Sequence, residues 1–348
     1  MNSEAKKFRT EESIKRILWL SVNITTECNM GCGFCYLNNL NILKETMSQE
    51  TVDCLVSRYK EHIERNGFSK HNLFTILGGE PLLHERLVKE LFQKITKVVP
   101  IKFKNMFTNG VLLNKNVVDW AKQSKTALLL SANNSSLDFL EEKLSLIADE
   151  QVPSSLSITL SENNLDRLSQ LVYLARDYGT NLRLRHEYSG PAREEYRKKY
   201  DEVMSSVVKE IAEKEYDFYP YLFFEMTTPW NREYFTHNCG YGYFAIDPNG
   251  DVKPCLAQER VVGNLHDKDF NFVDVVQKID VKFDYDDILE CEVCEHKIIC
   301  GGGCPLTKMY AFGTHKKPSP LCKTFKKVFP YIYKMKDRWV EKNRIFRW

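Results

Sequence analysis

Three closely spaced cysteines follow the first apolar segment of the chain, and their spacing is suited to holding a metal cluster. The run Cys28-Asn-Met-Gly-Cys32-Gly-Phe-Cys35 comes directly after residues 17–25, for which the apolar pattern predicts a buried strand. Three thiolates on one tight loop can bind three irons of a cubane cluster and leave the fourth iron open to another ligand. Taken alone, the pattern also allows a zinc knuckle with a distant fourth ligand, or buried free cysteines.

A second motif, Gly78-Gly79-Glu80-Pro81, ends the next predicted strand, residues 73–77. Ligands of open α/β sheets bind beyond the carboxyl ends of the strands, and paired glycines allow backbone carbonyls and amides to face such a ligand. An ordinary strand–helix turn is the alternative. The chain contains neither a GxGxxG fingerprint nor a GxxxxGK[ST] loop, so nucleotide phosphate binding is not indicated.

A second group of cysteines lies near the C-terminus, and no cysteine occurs between Cys54 and the start of this group. Its members are Cys239, Cys255, Cys291, Cys294, Cys300, Cys304 and Cys322. A CxxC pair with further cysteines nearby is typical of zinc or iron–sulfur sites. Two zinc ribbons are the alternative, although these would take about eight ligands. We interpret Cys54 as a small, partly buried hydrophobic residue of a helix.

The composition describes a folded, intracellular protein. The 348 residues are 43% apolar and 28% charged, which excludes global disorder. Because 49 basic and 47 acidic residues nearly balance, nucleic acid and membrane surfaces are not expected partners. The sequence has no signal peptide and no apolar run long enough to span a bilayer. Eleven cysteines without an export signal predict metal ligands rather than disulfides, in a cytoplasmic protein.

Alternating strand and helix patterns must position these motifs. Helical patterns, for example at 84–98, 137–148 and 164–178, separate strand-like runs at 17–25, 73–77, 101–107, 127–131, 156–160 and 182–186. This alternation predicts an α/β fold with a parallel sheet and about six strand–helix units, fewer than a complete eight-unit barrel has. After about residue 225, turn signals and cysteines replace the helices, which predicts a small, loop-rich domain organised by metal.

With these motifs, most of residues 17–215 resembles the radical S-adenosylmethionine (radical SAM) enzymes, which carry CxxxCxxC and GGE-type motifs on a partial (βα)6 TIM-like barrel. The resemblance implies that Cys28, Cys32 and Cys35 hold a [4Fe–4S] cluster whose open iron binds S-adenosylmethionine (AdoMet). It also implies three contacts with AdoMet. Phe34 would pack against the adenine, and Ser131 would contact the ribose. The methionine amino group would be contacted by Gly78, Gly79 and Glu80.

The seven C-terminal cysteines resemble the SPASM domain, an extension of radical SAM enzymes that carries two auxiliary [4Fe–4S] clusters. The resemblance implies that auxiliary cluster I is held by Cys239, Cys255 and Cys304, and auxiliary cluster II by Cys291, Cys294, Cys300 and Cys322. Some relatives have an eighth cysteine where this chain has Glu233, so cluster I is expected to be open at one iron or completed by Glu233 or His237. The implied organisation is an arm (1–16), the barrel (17–225), the SPASM domain (226–322) and a basic, aromatic tail (323–348).

The resemblance implies an enzyme that cleaves AdoMet to a deoxyadenosyl radical and abstracts hydrogen from a substrate. SPASM enzymes commonly cross-link ribosomally made peptides through C–C, C–O or thioether bonds, which is the first hypothesis. Sulfatase-maturating oxidation of Ser or Cys, small-molecule dehydrogenation, and a non-enzymatic electron-transfer or zinc-binding role are alternatives. In the sulfatase-maturating branch an Asp follows the second SPASM cysteine, whereas Leu256 follows Cys255 here. Expected partners are a peptide or protein substrate, a flavodoxin- or ferredoxin-type reductant and a separate leader-binding protein.

Two segments near the C-terminus carry opposite charge. Residues 263–296 contain ten acidic and three basic side chains, and residues 323–348 contain nine basic and two acidic ones. Two solvated faces are the simplest interpretation. The tail also has apolar residues near helical spacing, which predicts an amphipathic helix that docks near the acidic segment; they are Val328, Tyr331, Ile332, Met335 and Trp339.

Overall fold

The structure is a computed structural model, and it describes residues 19–39, 43–67, 72–133, 135–216, 220–221, 243–277 and 288–341. The chain divides into two compact units, the first formed by residues 1–129 and 238–282 and the second by residues 130–237 and 283–348. The predicted domain boundary at residues 225–226 lies outside the described residues and stays a prediction.

Strands and helices alternate along the first two thirds of the chain, and the predicted α/β class is confirmed. The described strands are β1 (Trp19–Thr25), β2 (Leu73–Gly78), β3 (Phe103–Thr108), β4 (Ala127–Ser131), β5 (Ser154–Leu160), β6 (Asn181–His186), β7 (Pro220–Tyr221), β8 (Tyr243–Ile246), β9 (Asp251–Lys253) and β10 (Gly263–Asn264). The described α-helices are α1 (Tyr36–Asn39), α2 (Gln49–Asn66), α3 (Glu85–Val98), α4 (Lys115–Ser124), α5 (Leu137–Asp149), α6 (Leu168–Asp177), α7 (Glu194–Glu213), α8 (Phe272–Gln277), α9 (Leu289–Glu292), α10 (Lys297–Cys300), α11 (Pro305–Phe312) and α12 (Cys322–Glu341). None of the helices in the described part of the chain is long and apolar enough to cross a membrane.

The first unit is built on parallel strands. The strand order is β10-β9-β8-β1-β2-β3, in which β8, β1, β2 and β3 are parallel while β9 and β10 run antiparallel to their neighbours. Along β1 the fully buried Leu20, Val22 and Ile24 share one face, and Ser21 and Asn23 point to the other. Because parallel strands end at the same edge of the sheet, the first cysteine loop and the GGE motif both start at this edge.

Local sequence signals set the ends of the helices in this unit. The hydroxyl of Ser48 accepts a hydrogen bond from the Thr51 amide at 3.1 Å and caps α2, which ends at Gly67 with a φ of 73°. The side chain of Asn114 caps α4 in the same way by accepting from the Val117 amide at 3.2 Å. The predicted helix between Ser48 and Asn66-Gly67 is therefore confirmed.

The second unit has its own apolar core, beside which β5, β6 and β7 are parallel and α12 packs on α7. The apolar face of α12 is buried in this core; it consists of Phe325, Val328, Phe329, Ile332 and Met335. Two side chains of α12, Thr324 and Lys327, bind the carboxylate of Asp201 on α7. The described part of the tail, residues 323–341, thus forms a helix with a buried apolar face, as predicted. The Phe329 ring of α12 contacts the ring of His296, which is the last residue of the acidic segment. Residues 278–287 of that segment lie outside the described residues.

Candidate active site and metal centres

The first three cysteines lie on the loop that joins β1 to α1, and each of them is partly buried. The Cys35 amide donates to the Cys32 carbonyl at 3.1 Å, which closes a tight turn. The Met30 amide points at the Cys28 sulfur, with 3.4 Å between the nitrogen and Sγ. Burial raises the pKa of the Cys28 thiol, while the contacts from Met30 and Asn109 act to lower it. This short loop therefore holds three thiols at the carboxyl end of a parallel strand.

The paired glycines bring the end of β2 against the backbone that leads into this loop. The Gly79 amide donates to the Thr25 carbonyl at 2.7 Å, and the Glu80 amide donates to the Glu27 carbonyl at 2.8 Å. A Cβ atom on Gly78 would lie 2.2 Å from the Thr25 oxygen, and one on Gly79 would lie 2.0 Å from the Glu27 oxygen. Sequence analysis expected carbonyls and amides of the paired glycines to face a ligand; the Gly79 amide instead supports the cysteine loop, together with the Glu80 amide.

Glu80 is a buried carboxylate that joins the ends of β2 and β3. Its Oε1 accepts hydrogen bonds from the Leu82 amide at 3.1 Å and the Thr108 hydroxyl at 2.8 Å. Its Oε2 accepts from the Asn109 amide at 2.7 Å. Burial raises the pKa of Glu80, although these three hydrogen bonds act in the opposite direction. In this structure the Glu80 side chain thus has a supporting role within the protein.

Asn109 is a residue of this site that sequence analysis missed. It follows β3 directly, and its side-chain amide donates to Asn29 Oδ1 at 2.7 Å and to Cys28 Sγ at 3.9 Å. The available signal was the polar Thr108-Asn109-Gly110 sequence at the end of a strand, where α/β folds place functional groups.

A chain of polar groups extends from the other end of the cysteine loop. The Tyr36 hydroxyl donates to Asn23 Oδ1 at 3.1 Å, and Asn23 Nδ2 donates to Asp247 Oδ1 at 2.7 Å. Asp247 forms an ion pair with Lys253, and both side chains are largely buried. Because each member has a partner, the chain ties the residue after Cys35 to the β8–β9 hairpin. Sequence analysis assigned no role to these residues.

The two remaining AdoMet-contact candidates are Phe34 and Ser131. Phe34 is partly buried within the cysteine loop. Ser131 ends β4 in the second unit, where its hydroxyl accepts a hydrogen bond from Asn133 Nδ2 at 3.0 Å. Asn133 is itself fixed, because its Oδ1 accepts from the Thr159 amide on β5 at 2.6 Å. AdoMet contacts at Phe34 and Ser131 stay predictions.

Four of the C-terminal cysteines line one pocket of the second unit. They are the four assigned by resemblance to auxiliary cluster II, namely Cys291, Cys294, Cys300 and Cys322. His296, Phe325 and Phe329 complete much of the wall, and the His296 ring lies 4.8 Å from that of Phe329. Burial, reinforced by the nearby Cys322, raises the pKa of Cys291 to about 11. Thiols crowded in this way are suited to a site where iron keeps them deprotonated.

The donor sets fit iron–sulfur clusters in kind and number. Three thiols share the first loop and four share the pocket. Among the described residues, no group of three or more His, Cys, Asp or Glu side chains meets at a point that could hold a single metal ion. Cubane ligands need not meet in this way, because each thiolate binds a different iron.

The ligands assigned to auxiliary cluster I stay a prediction. Cys255 belongs to the first unit and Cys304 to the second, whereas Cys239, Glu233 and His237 lie outside the described residues. Cys54 is apart from both groups. It is partly buried on α2, and its thiol donates to the Leu265 carbonyl at 3.1 Å.

Comparison with known families identifies the first part of the chain. Residues 22–152 match the model of the Radical SAM superfamily. The chain carries a radical SAM domain. The matched residues include most of β1, the three-cysteine loop and the Gly78-Gly79-Glu80 motif.

Beyond the radical SAM domain, similarity extends over more of the chain. A probable GTP 3',8-cyclase from Thermoplasma volcanium is 24% identical over 216 residues, which cover 57% of this chain and 63% of that protein, less than two thirds of its length. The solved structure of native anSMEcpe with bound AdoMet and Kp18Cys peptide has a TM-score of 0.72 at 16% identity, covering 94% of this chain and 100% of that one. Streptococcus suis SuiB bound to precursor peptide SuiA has a TM-score of 0.65 at 17% identity, covering 90% of this chain and 77% of that one. These two structures share the fold of this chain.

Proposed function

We propose that this enzyme cleaves AdoMet and uses the resulting radical to cross-link a ribosomally made peptide or protein through a C–C, C–O or thioether bond. The observation that carries the proposal is the three-thiol loop at the carboxyl end of β1, within a radical SAM domain. When bound, the cluster supplies one electron to the AdoMet sulfonium, so that a deoxyadenosyl radical is released to take hydrogen from the substrate.

Residues at or just beyond the carboxyl ends of the strands would bind and orient the cluster and AdoMet. Cys28, Cys32 and Cys35 would each ligate one iron, and the packing of Gly79 against Glu27 would hold their loop at the sheet edge. AdoMet would contact Phe34, Ser131 and the Gly78-Gly79-Glu80 segment. Because the Gly79 and Glu80 amides already donate to the protein backbone, AdoMet binding at this motif would use other atoms of the segment.

The C-terminal cysteines would bind two auxiliary clusters. Cluster II fits the four-thiol pocket, whose aromatic side chains would limit solvent access and so influence its reduction potential. Cluster I would be held by Cys239, Cys255 and Cys304, with a fourth site open to a substrate thiolate. Such clusters supply an acceptor for the electron that the substrate radical must lose after hydrogen abstraction.

Two observations support a peptide substrate. Two solved structures that share this fold hold peptides, Kp18Cys in one and SuiA in the other. Leu256 follows Cys255, where the sulfatase-maturating branch has an Asp, which favours cross-linking over Ser or Cys oxidation. We further propose a flavodoxin- or ferredoxin-type reductant, a separate leader-binding protein and a cytoplasmic location.

A nucleotide substrate is the second candidate, because the Thermoplasma volcanium relative is named as a probable GTP 3',8-cyclase. The two candidates differ in the substrate that must be consumed along with AdoMet. A peptide enzyme would leave GTP unchanged, whereas a cyclase would convert GTP and ignore peptides.

The decisive experiment measures deoxyadenosine formation by the anaerobically reconstituted enzyme. We expect AdoMet cleavage in the wild type and its loss when Cys28, Cys32 and Cys35 are all replaced by Ala. GTP or candidate precursor peptides encoded beside the gene are then added in separate reactions. Mass spectrometry would show which of these substrates the enzyme modifies. Cleavage that persists in the triple variant would refute the proposed cluster site, and conversion of GTP would refute the peptide substrate.

A further inference from the structure

Asn109 lies where the first cysteine loop meets the ends of β2 and β3. Its backbone amide donates to Glu80 Oε2 at 2.7 Å, and Glu80 is fully buried. Its side-chain Nδ2 donates to Asn29 Oδ1 at 2.7 Å and to Cys28 Sγ at 3.9 Å. One residue therefore links the buried carboxylate to two neighbouring residues of the cysteine loop.

The hydrogen bonds of Asn109 determine which way its side-chain amide points. Its Oδ1 accepts from the Val111 amide at 3.0 Å, inside a turn where Gly110 has a φ of 83°. Since the oxygen is used there, Nδ2 must be the atom that faces Asn29 and Cys28. An amide nitrogen has two hydrogens, one for each of these acceptors.

The Cys28 sulfur is thus approached by two N–H groups, the Met30 amide at 3.4 Å and Asn109 Nδ2 at 3.9 Å. An N–H group directed at a ligand sulfur stabilises negative charge on that sulfur. Reduction adds negative charge to an iron–sulfur cluster, so these contacts favour the reduced form and raise the reduction potential. Of the two donors, the Asn109 side chain is the one that mutation can remove.

We propose that Asn109 is a positioning residue of the AdoMet-binding cluster, which holds Cys28 in place and raises the reduction potential of the cluster through its contact with the cysteine sulfur. This inference rests on the proposed function, because it takes Cys28 to be a cluster ligand.

Two substitutions separate the roles of the Asn109 side chain. Asn109→Leu keeps the approximate size and removes every hydrogen bond of the side chain. Asn109→Asp keeps an oxygen for the Val111 amide and replaces the donor near Cys28 with a negatively charged oxygen. The matched control is Asn114→Asp, because Asn114 lies in the same connection, binds Leu112 and Val117 rather than the cysteine loop, and can be replaced by Asp as a helix cap.

The measurement is an EPR-monitored redox titration of the full-length reconstituted enzyme, following the signal that AdoMet perturbs. We expect a more negative potential in Asn109→Leu than in the wild type, a still more negative one in Asn109→Asp, and no change in Asn114→Asp. Equal potentials in all four proteins would overturn the tuning role. Reduced iron binding by the Asn109 variants, with wild-type unfolding temperatures of the apoproteins, would support the positioning role.

The controls keep this inference separate from the proposed function. A lowered unfolding temperature with an unchanged potential would assign Asn109 a purely structural role and overturn the inference. A wild-type enzyme without any AdoMet-perturbed signal would count against the proposed function itself. In that case, unchanged iron binding by both Asn109 variants would overturn the inference as well.

Discussion

At the scale of single residues, the site depends on close contact between backbone segments. Gly79 has no side chain, so its backbone can lie against the carbonyl of Glu27, which is the residue just before Cys28. The atoms that a Cβ on Gly79 would meet belong to the backbone of Thr26 and Glu27. A larger residue could therefore be accommodated only if the main chain moved. The Gly78-Gly79-Glu80 motif therefore supports the cysteine loop through backbone contacts.

Gly79→Ala should lower the free energy of unfolding by about 3 kcal/mol, because the new Cβ would overlap the Glu27 carbonyl. Gly31→Ala is the matched control, since a Cβ there meets nothing within 4 Å and the change should stay within about 0.5 kcal/mol. Urea denaturation of the two apoproteins tests this expectation. Equal stability of Gly79→Ala and the wild type would contradict the close contact.

Glu80 should make stability depend on pH in a defined direction. Burial raises its folded-state pKa above the value of 4.5 taken for the unfolded chain, so protonation favours the folded state. This contribution is fully present below the unfolded pKa and is lost as the pH rises through the folded pKa. Relative to Glu80→Gln, the wild-type apoprotein should therefore lose stability as the pH rises above 4.5, as measured by urea denaturation. A constant difference between the two proteins would contradict the raised pKa.

At the scale of elements, α12 both completes the core of the second unit and lines the four-cysteine pocket. The helix starts at Cys322, and its Phe325 and Phe329 contribute to the pocket wall. Met335, two turns after Val328, is equally buried in the same core and does not line the pocket. Helix packing and the proposed cluster II environment are thus coupled through particular side chains.

Phe329→Ala and Met335→Ala should separate these two roles. Both remove fully or nearly fully buried side chains, so each should cost about 3 kcal/mol or more of unfolding free energy. Only Phe329→Ala opens the wall beside the cysteines, so we expect faster loss of cluster II iron in air for this variant. Equal rates of iron loss in the two variants would show that α12 affects the pocket through overall stability alone.

At the scale of the whole molecule, each compact unit contains its own group of cysteines. The first unit has the three-cysteine loop, and the second has the four-cysteine pocket. Since the two groups lie on different units, each should take up iron when the other is removed.

Iron content tests this arrangement. If three clusters are bound, replacing Cys28, Cys32 and Cys35 by Ala should leave about two thirds of the wild-type iron. Replacing the four pocket cysteines should leave a similar fraction, and the combined variant should keep about one third. Zinc in place of iron in the first of these variants would favour the zinc-ribbon alternative for the C-terminal cysteines.

The sequence by itself determined the CxxxCxxC loop, the alternation of strands and helices, and the helix ends at Ser48 and Gly67. These features depend on the spacing and periodicity of residues that are close in sequence. Local backbone geometry alone therefore predicts them, without knowledge of the fold. The tertiary structure decided what contacts what. Asn109 binds Asn29 across 80 positions of the chain, and His296 meets Tyr333 across 37. Such pairings depend on how strands and helices are arranged in space, and the local spacing of residues does not predict that arrangement. The hydrogen bonds that the Gly79 and Glu80 amides donate to Thr25 and Glu27 were decided in the same way.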